Sequence, residues 1–162
     1  MTSPGQADCL VLDTTSQQWE RGLIGNLDQA RIYASAVTMP LGVFVLGGNW
    51  IKDGGRGWAQ GNESTEERSI FLGTESRVWI DGPALPVKHK FGCAVPVSQT
   101  RFLMISGWSL REFDTNFWGP STSGWLREDT YPELQEQRHG SYGCARLGNK
   151  VTEQILLSCW PL

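Results

Sequence analysis

Two histidines and four cysteines are the residues with the most chemistry to offer. His89 stands four residues before Cys93, and His139 five residues before Cys144. A thiol beside an imidazole can act as a base-activated nucleophile. Such a pair also needs a third group to orient the imidazole, and the sequence marks none. The shared placement reads instead as the start of the same inner strand in two copies of one unit. No catalytic residue is assigned, and the chain is not expected to be an enzyme. Gly54-Gly55-Arg56-Gly57 has the glycine density of a phosphate loop. It lacks the Gly-Lys-Ser/Thr ending and a following helical pattern, so it reads as a loop tip. Glu63, Glu66 and Glu67 do not have the spacing of a calcium loop. There is no CxxC pair. Neither a metal nor a cofactor is expected.

Each cysteine lies in or beside an apolar run and reads as a small buried hydrophobe. A Cys93–Cys144 disulfide is the lesser reading and needs an oxidising compartment. The acceptor triplet Asn62-Glu63-Ser64 would matter only there. The first residues show no signal peptide, which leans towards the cytoplasm, and the triplet leaves an extracellular site open. Localisation therefore stays unknown.

The elements that must position these residues are short. The 162 residues include 19 Gly and 8 Pro, and no stretch of ten or more has helical periodicity. Apolar runs recur instead: Val43-Phe44-Val45-Leu46, Phe102-Leu103-Met104-Ile105 and Ile155-Leu156-Leu157. Each ends in small residues, and each reads as a strand covered on both faces. Charge is balanced, with Lys+Arg 14 against Asp+Glu 17 and a net charge of −3. That excludes the basic stripe of a nucleic-acid binder. The apolar runs are far shorter than the roughly 20 residues a membrane-spanning helix needs.

The runs belong to a repeat. Trp19, Trp79 and Trp125 fall in one register. A turn-borne leucine follows each: Leu27, Leu85 and Leu134. Four residues later come Arg31, His89 and Arg138. Then an aromatic opens a small-residue strand: Tyr33-Ala34-Ser35, Phe91-Gly92-Cys93 and Tyr142-Gly143-Cys144. A polar hairpin and the apolar run complete the inner pair of strands. The outer pair carries the tryptophan. Four antiparallel strands per unit is the pattern of a propeller blade.

These residues resemble kelch repeats. The likeness rests on the apolar run before Gly47-Gly48, on Trp79, on Gly82-Pro83-Ala84-Leu85-Pro86 and on the basic residue opening the next unit. Gly107 stands where the second glycine pair would end, but Ser106-Gly107 and Ser158-Cys159 depart from the pattern, as do Phe71 and Phe113 where a tyrosine is expected. The resemblance implies an all-β, kelch-type β-propeller of four-stranded blades, about three in all. Residues 9–27 form a half blade, 28–85 and 86–134 complete blades, and 135–162 a half blade. The missing blades would lie in a longer chain or in a second copy. Some kelch propellers oxidise substrates with copper; 2 His and 3 Tyr without the matching motif do not supply that ligand set.

The resemblance also implies a ligand surface at one end of the blades. Its candidates are Asn49, Trp50, Arg56 and Trp58 in the long segment 49–68, with Trp108 and Arg111. A second loop is expected from Asp114 to Gly124, carrying Phe117 and Trp118. Tryptophan and arginine dominate protein-binding hot spots. The implied function is a protein-binding scaffold that presents loops to another protein or peptide. The alternatives are an extracellular carbohydrate-binding or enzymatic propeller, and a piece with no independent function.

Overall fold

The computed structural model describes residues 8–28, 31–51, 63–65, 68–89, 92–106 and 109–126, with backbone alone at a few strand ends. Among them there is no helix. The two halves of each strand pair meet through tight turns, as the Pro, Gly and Ser clusters require.

The chain opens with a hairpin, β1 (Leu10–Asp13) and β2 (Gln18–Arg21). A two-residue strand β3 (Arg31–Ile32) follows. Then come β4 (Ser35–Met39) and β5 (Gly42–Leu46), joined at Pro40-Leu41. The segment after β5 forms β6 (Asn49–Ile51) and β7 (Glu63–Thr65). The chain returns through β8 (Ser69–Gly73) and β9 (Ile80–Asp81). A second set follows: β10 (Cys93–Pro96), β11 (Arg101–Ser106), β12 (Ser109–Gly119) and β13 (Thr122–Trp125).

Two antiparallel four-stranded sheets result, ordered β4-β5-β8-β9 and β10-β11-β12-β13. A smaller sheet runs β3-β6-β7, and β1-β2 stands alone. The described sheets do not close on one another.

The core lies between the two large sheets. Strand alternation turns Val37, Met39, Phe44, Leu46 and Phe71 of the first towards Phe102, Met104 and Phe113 of the second. Phe44 sits at the centre. Its ring lies 4.7 Å from Phe71, 5.3 Å from Phe102 and 5.7 Å from Phe113. Ring pairs at these separations add about 0.5–1.5 kcal/mol each beyond simple burial. Phe71 and Phe113, which stand where the repeat pattern has tyrosine, are thus buried ring partners.

A second apolar cluster covers the other side of the second sheet: Cys93, Val95, Val97, Leu103, Ile105 and Leu110. No described element contributes to it beyond that sheet and the turn after β10. Buried Glu112 and Asp114 share this side, with Arg101 bridging both at 3.6 and 2.8 Å.

The expected loop from Asp114 to Gly124 is instead the far half of β12, a turn and the start of β13. A bulge between Phe113 and Trp118 shifts the register. That shift carries Trp118 onto Phe44 and Phe71, 5.4 and 5.2 Å away. Trp118 is therefore a core ring, while Phe117 stays exposed.

Candidate functional site

The junction between the two large sheets gathers most of the repeat residues. Gly47 and Gly48 have φ of 60° and 92°. Both values favour glycine. A Cβ on Gly47 would lie 2.2 Å from the His89 carbonyl oxygen. The glycine pair thus lets the start of the second unit run against the end of β5. Gly48 N–H donates to that same His89 carbonyl at 2.7 Å.

The His89 side chain closes the junction. Its Nε2 lies 2.7 Å from Ser35 Oγ on β4. The ring is fully buried, and its Nδ1 has no hydrogen-bond partner among the described residues. Burial pushes the imidazole down to about 4. A hydroxyl and an imidazole at this distance have the spacing of a nucleophile and its base. A working pair needs the second ring nitrogen held by an orienting group and a hydroxyl that substrate can reach. Here Nδ1 has neither acid nor carbonyl, and Ser35 is itself buried. What the pair does is tie β4 to the segment entering β10.

His89 and Cys93 do not form a pair. His89 faces Ser35, and Cys93 is disulfide-bonded to a sulfur outside the described residues. Cys93 is thus no simple buried thiol, which corrects that expectation. Cys144 and His139 lie outside the described residues.

Arg31 clamps the long segment. Its Nη1 donates to the carbonyls of Gly47 at 3.0 Å and Arg68 at 3.2 Å. Gly47 N–H also donates to the Arg68 carbonyl, at 3.1 Å. The chain therefore leaves and returns through one pinned neck. Arg68 adds ion pairs to Asp28 and Asp81. Beyond the neck, β6 pairs with β3 on one side and β7 on the other. The expected open loop is thus a hairpin at its base.

The candidate surface residues separate. Asn49 opens β6 and is buried, so its side chain belongs to the neck rather than to an accessible face. Trp50 pairs by backbone with Arg31 and Ser64. Arg111 on β12 is half-buried, with Nη1 donating to the Leu110 carbonyl at 3.3 Å. Arg56, Trp58, Gly107, Trp108 and Arg138 lie outside the described residues. Trp79 and Trp125 share a role. Each indole N–H donates to a carbonyl in the segment leading into its own sheet, Gly25 at 2.9 Å and Ala84 at 2.8 Å. Trp19 is 65% exposed.

Ser35 was not legible as a functional partner, because His89 is 54 residues away in sequence. The one signal was its place in the small-residue strand start. No family profile matches the chain, and no curated protein matches it.

Proposed function

We propose that the chain is part of a kelch-type propeller that binds another protein or a peptide through the segment between β5 and β8. The observation that carries this reading is the pinned neck formed by Arg31, Gly47 and Arg68. An insertion anchored at one point on a rigid sheet is a common way to present a binding loop. The segment beyond the neck carries Arg56 and Trp58, side chains suited to a hot spot. The two four-stranded meanders packed face to face support the propeller part of the reading.

Trp118 weighs against a sugar platform in this region, since its ring is committed to the core. The disulfide at Cys93 favours an oxidising compartment for the binding scaffold.

The test is a displayed peptide library panned on the full chain. The reading predicts enriched peptides whose affinity falls at least tenfold in Arg56→Ala or Trp58→Ala. Enriched peptides indifferent to both substitutions, or no enrichment, would contradict it.

A further inference from the structure

We infer that His89 is a proton-sensitive latch on the neck: when its ring takes up a proton, the Gly47-Gly48 pair is released and the segment between β5 and β8 loosens. The latch rests on the geometry of the junction. Its use, the weakening of peptide binding in acid, rests on the function proposed above.

One residue holds both sides of the junction. The His89 carbonyl accepts from Gly48 N–H at 2.7 Å, at the exit of β5. The His89 ring reaches the start of β4, where Nε2 lies 2.7 Å from Ser35 Oγ. Ser35 pairs in register with Leu46, the residue before the glycine pair. Side chain and main chain of His89 therefore grip the same end of the β4-β5 pair. The fit leaves little slack. A Cβ on Gly47 would lie 2.2 Å from the His89 carbonyl oxygen and 2.9 Å from the His89 Cβ. A Cβ on Gly92 would lie 2.2 Å from the ring's Cε1 and 2.3 Å from the Ile105 carbonyl oxygen. A ring packed this closely leaves its seat only if the main chain of residue 89 moves with it.

The junction accepts one protonation state. With its proton on Nε2, the neutral ring donates to Ser35 and leaves Nδ1 as an idle acceptor. Nδ1 is buried with no hydrogen-bond partner among the described residues. In the imidazolium both nitrogens are donors. Nδ1–H would then be a charged donor out of water with no acceptor, which costs far more than an idle lone pair. The charges nearby do not relieve it. Arg31, at the Gly47 carbonyl, and Lys88, the preceding residue, are cations. Arg68 is a third, and Asp28 and Asp81 are already paired with its guanidinium. Ser35 on β4, Gly92, disulfide-bonded Cys93 on β10 and Ile105 on β11 bring no charge. The protonated ring therefore moves out to water and takes its carbonyl from Gly48. The Arg31 bonds to the Gly47 and Arg68 carbonyls do not titrate in this range, so the two ends of the segment stay together.

Burial holds the closed ring at about 4, and a ring released to water returns towards 6.5. The loosened form is thus the one that binds the proton, and its share grows as pH falls from 6.5 towards 4.

The experiment follows amide exchange at Gly48 in the full chain by NMR at pH 7 and pH 5, corrected for the intrinsic rate. The opening constant should rise about twentyfold, the ratio that ring values of about 4 and 6.5 require. It should also exceed the opening constant of Phe44, in the core, at both pH values. His89→Gln should remove the rise. In the unaltered chain the ring carbons of His89 should still report neutral imidazole at pH 5.5. An opening constant indifferent to pH, one equal to that of Phe44, a rise that persists in His89→Gln, or a ring already charged at pH 5.5 would each overturn the inference. The binding function fails separately, if no peptide is enriched at pH 7, and none of these measurements depends on that result.

Discussion

Neutral imidazole is the form of His89 that its surroundings favour. The ring has no exposed surface, and its Nε2 faces the Ser35 hydroxyl. Its value near 4 lies below the 6.5 of an unfolded histidine. Between those values the unfolded chain binds the extra proton, so the stabilisation is complete above pH 6.5 and is lost as pH falls towards 4. The shift corresponds to about 3 kcal/mol. Urea midpoints should therefore drop between pH 7 and pH 4.5, and His89→Gln should remove most of that drop. An equal drop in the variant would contradict the account.

Glu112 poses the opposite case. Its Oε2 has no hydrogen-bond partner among the described residues, and its Oε1 lies 3.6 Å from Arg101, which Asp114 also holds. In the first sheet the matching position is Ile70, by the alignment of Phe113 with Phe71. Glu112→Leu should be neutral or raise stability by about 1 kcal/mol, since desolvating a carboxylate costs more than one long ion pair to a shared arginine returns. A loss above about 1 kcal/mol, read from the same urea curves, would show that the carboxylate has a structural use. Sequence reading found His89 because it recurs as a repeat position. It could not find Ser35 or the solitary oxygen of Glu112, since both depend on a sheet face that sequence order hides.

Elements were more legible than contacts. Two of the three apolar runs form β5 and β11, because continuous β-branched and aromatic residues can be covered on both faces, and the third, at 155–157, lies outside the described residues. The outer strands were less clear. Val78 and Trp79 precede β9 rather than lie in it, and β12 extends through residues that read as a loop. The bulge and the Trp118 anchor decide the structure there. The glycine pair is a point of close backbone approach. Gly47→Ala should cost at least about 2 kcal/mol, from strain and the clash with His89. Gly22→Ala makes the control. Its φ is +76° but open space surrounds it, so about 1 kcal/mol is expected. Equal costs would mean that the neck is looser than described. Trp79→Phe and Trp125→Phe keep a large ring and delete one hydrogen bond each. Both should lose about 1 kcal/mol in thermal or urea unfolding. A loss at one site alone would break the equivalence of the two sheets.

At the scale of the molecule, the account depends on a single unit recurring along the chain. Two copies of that unit appear as four-stranded meanders that share one aromatic core. The sequence made the inner strand pairs legible, because the apolar runs and small-residue strand starts recur in register. The way the sheets meet was not legible. It depends on a histidine reaching a serine and on indoles reaching backbone carbonyls 41 and 54 residues away. The most direct measurement lies where the repeat predicts most: nuclear Overhauser contacts and Cα shifts across residues 142–157 of the full chain. The account predicts extended shifts and cross-strand Hα–Hα contacts between 142–145 and 154–157, the pairing of β10 with β11 repeated. Helical shifts, or strands there without mutual contacts, would contradict it.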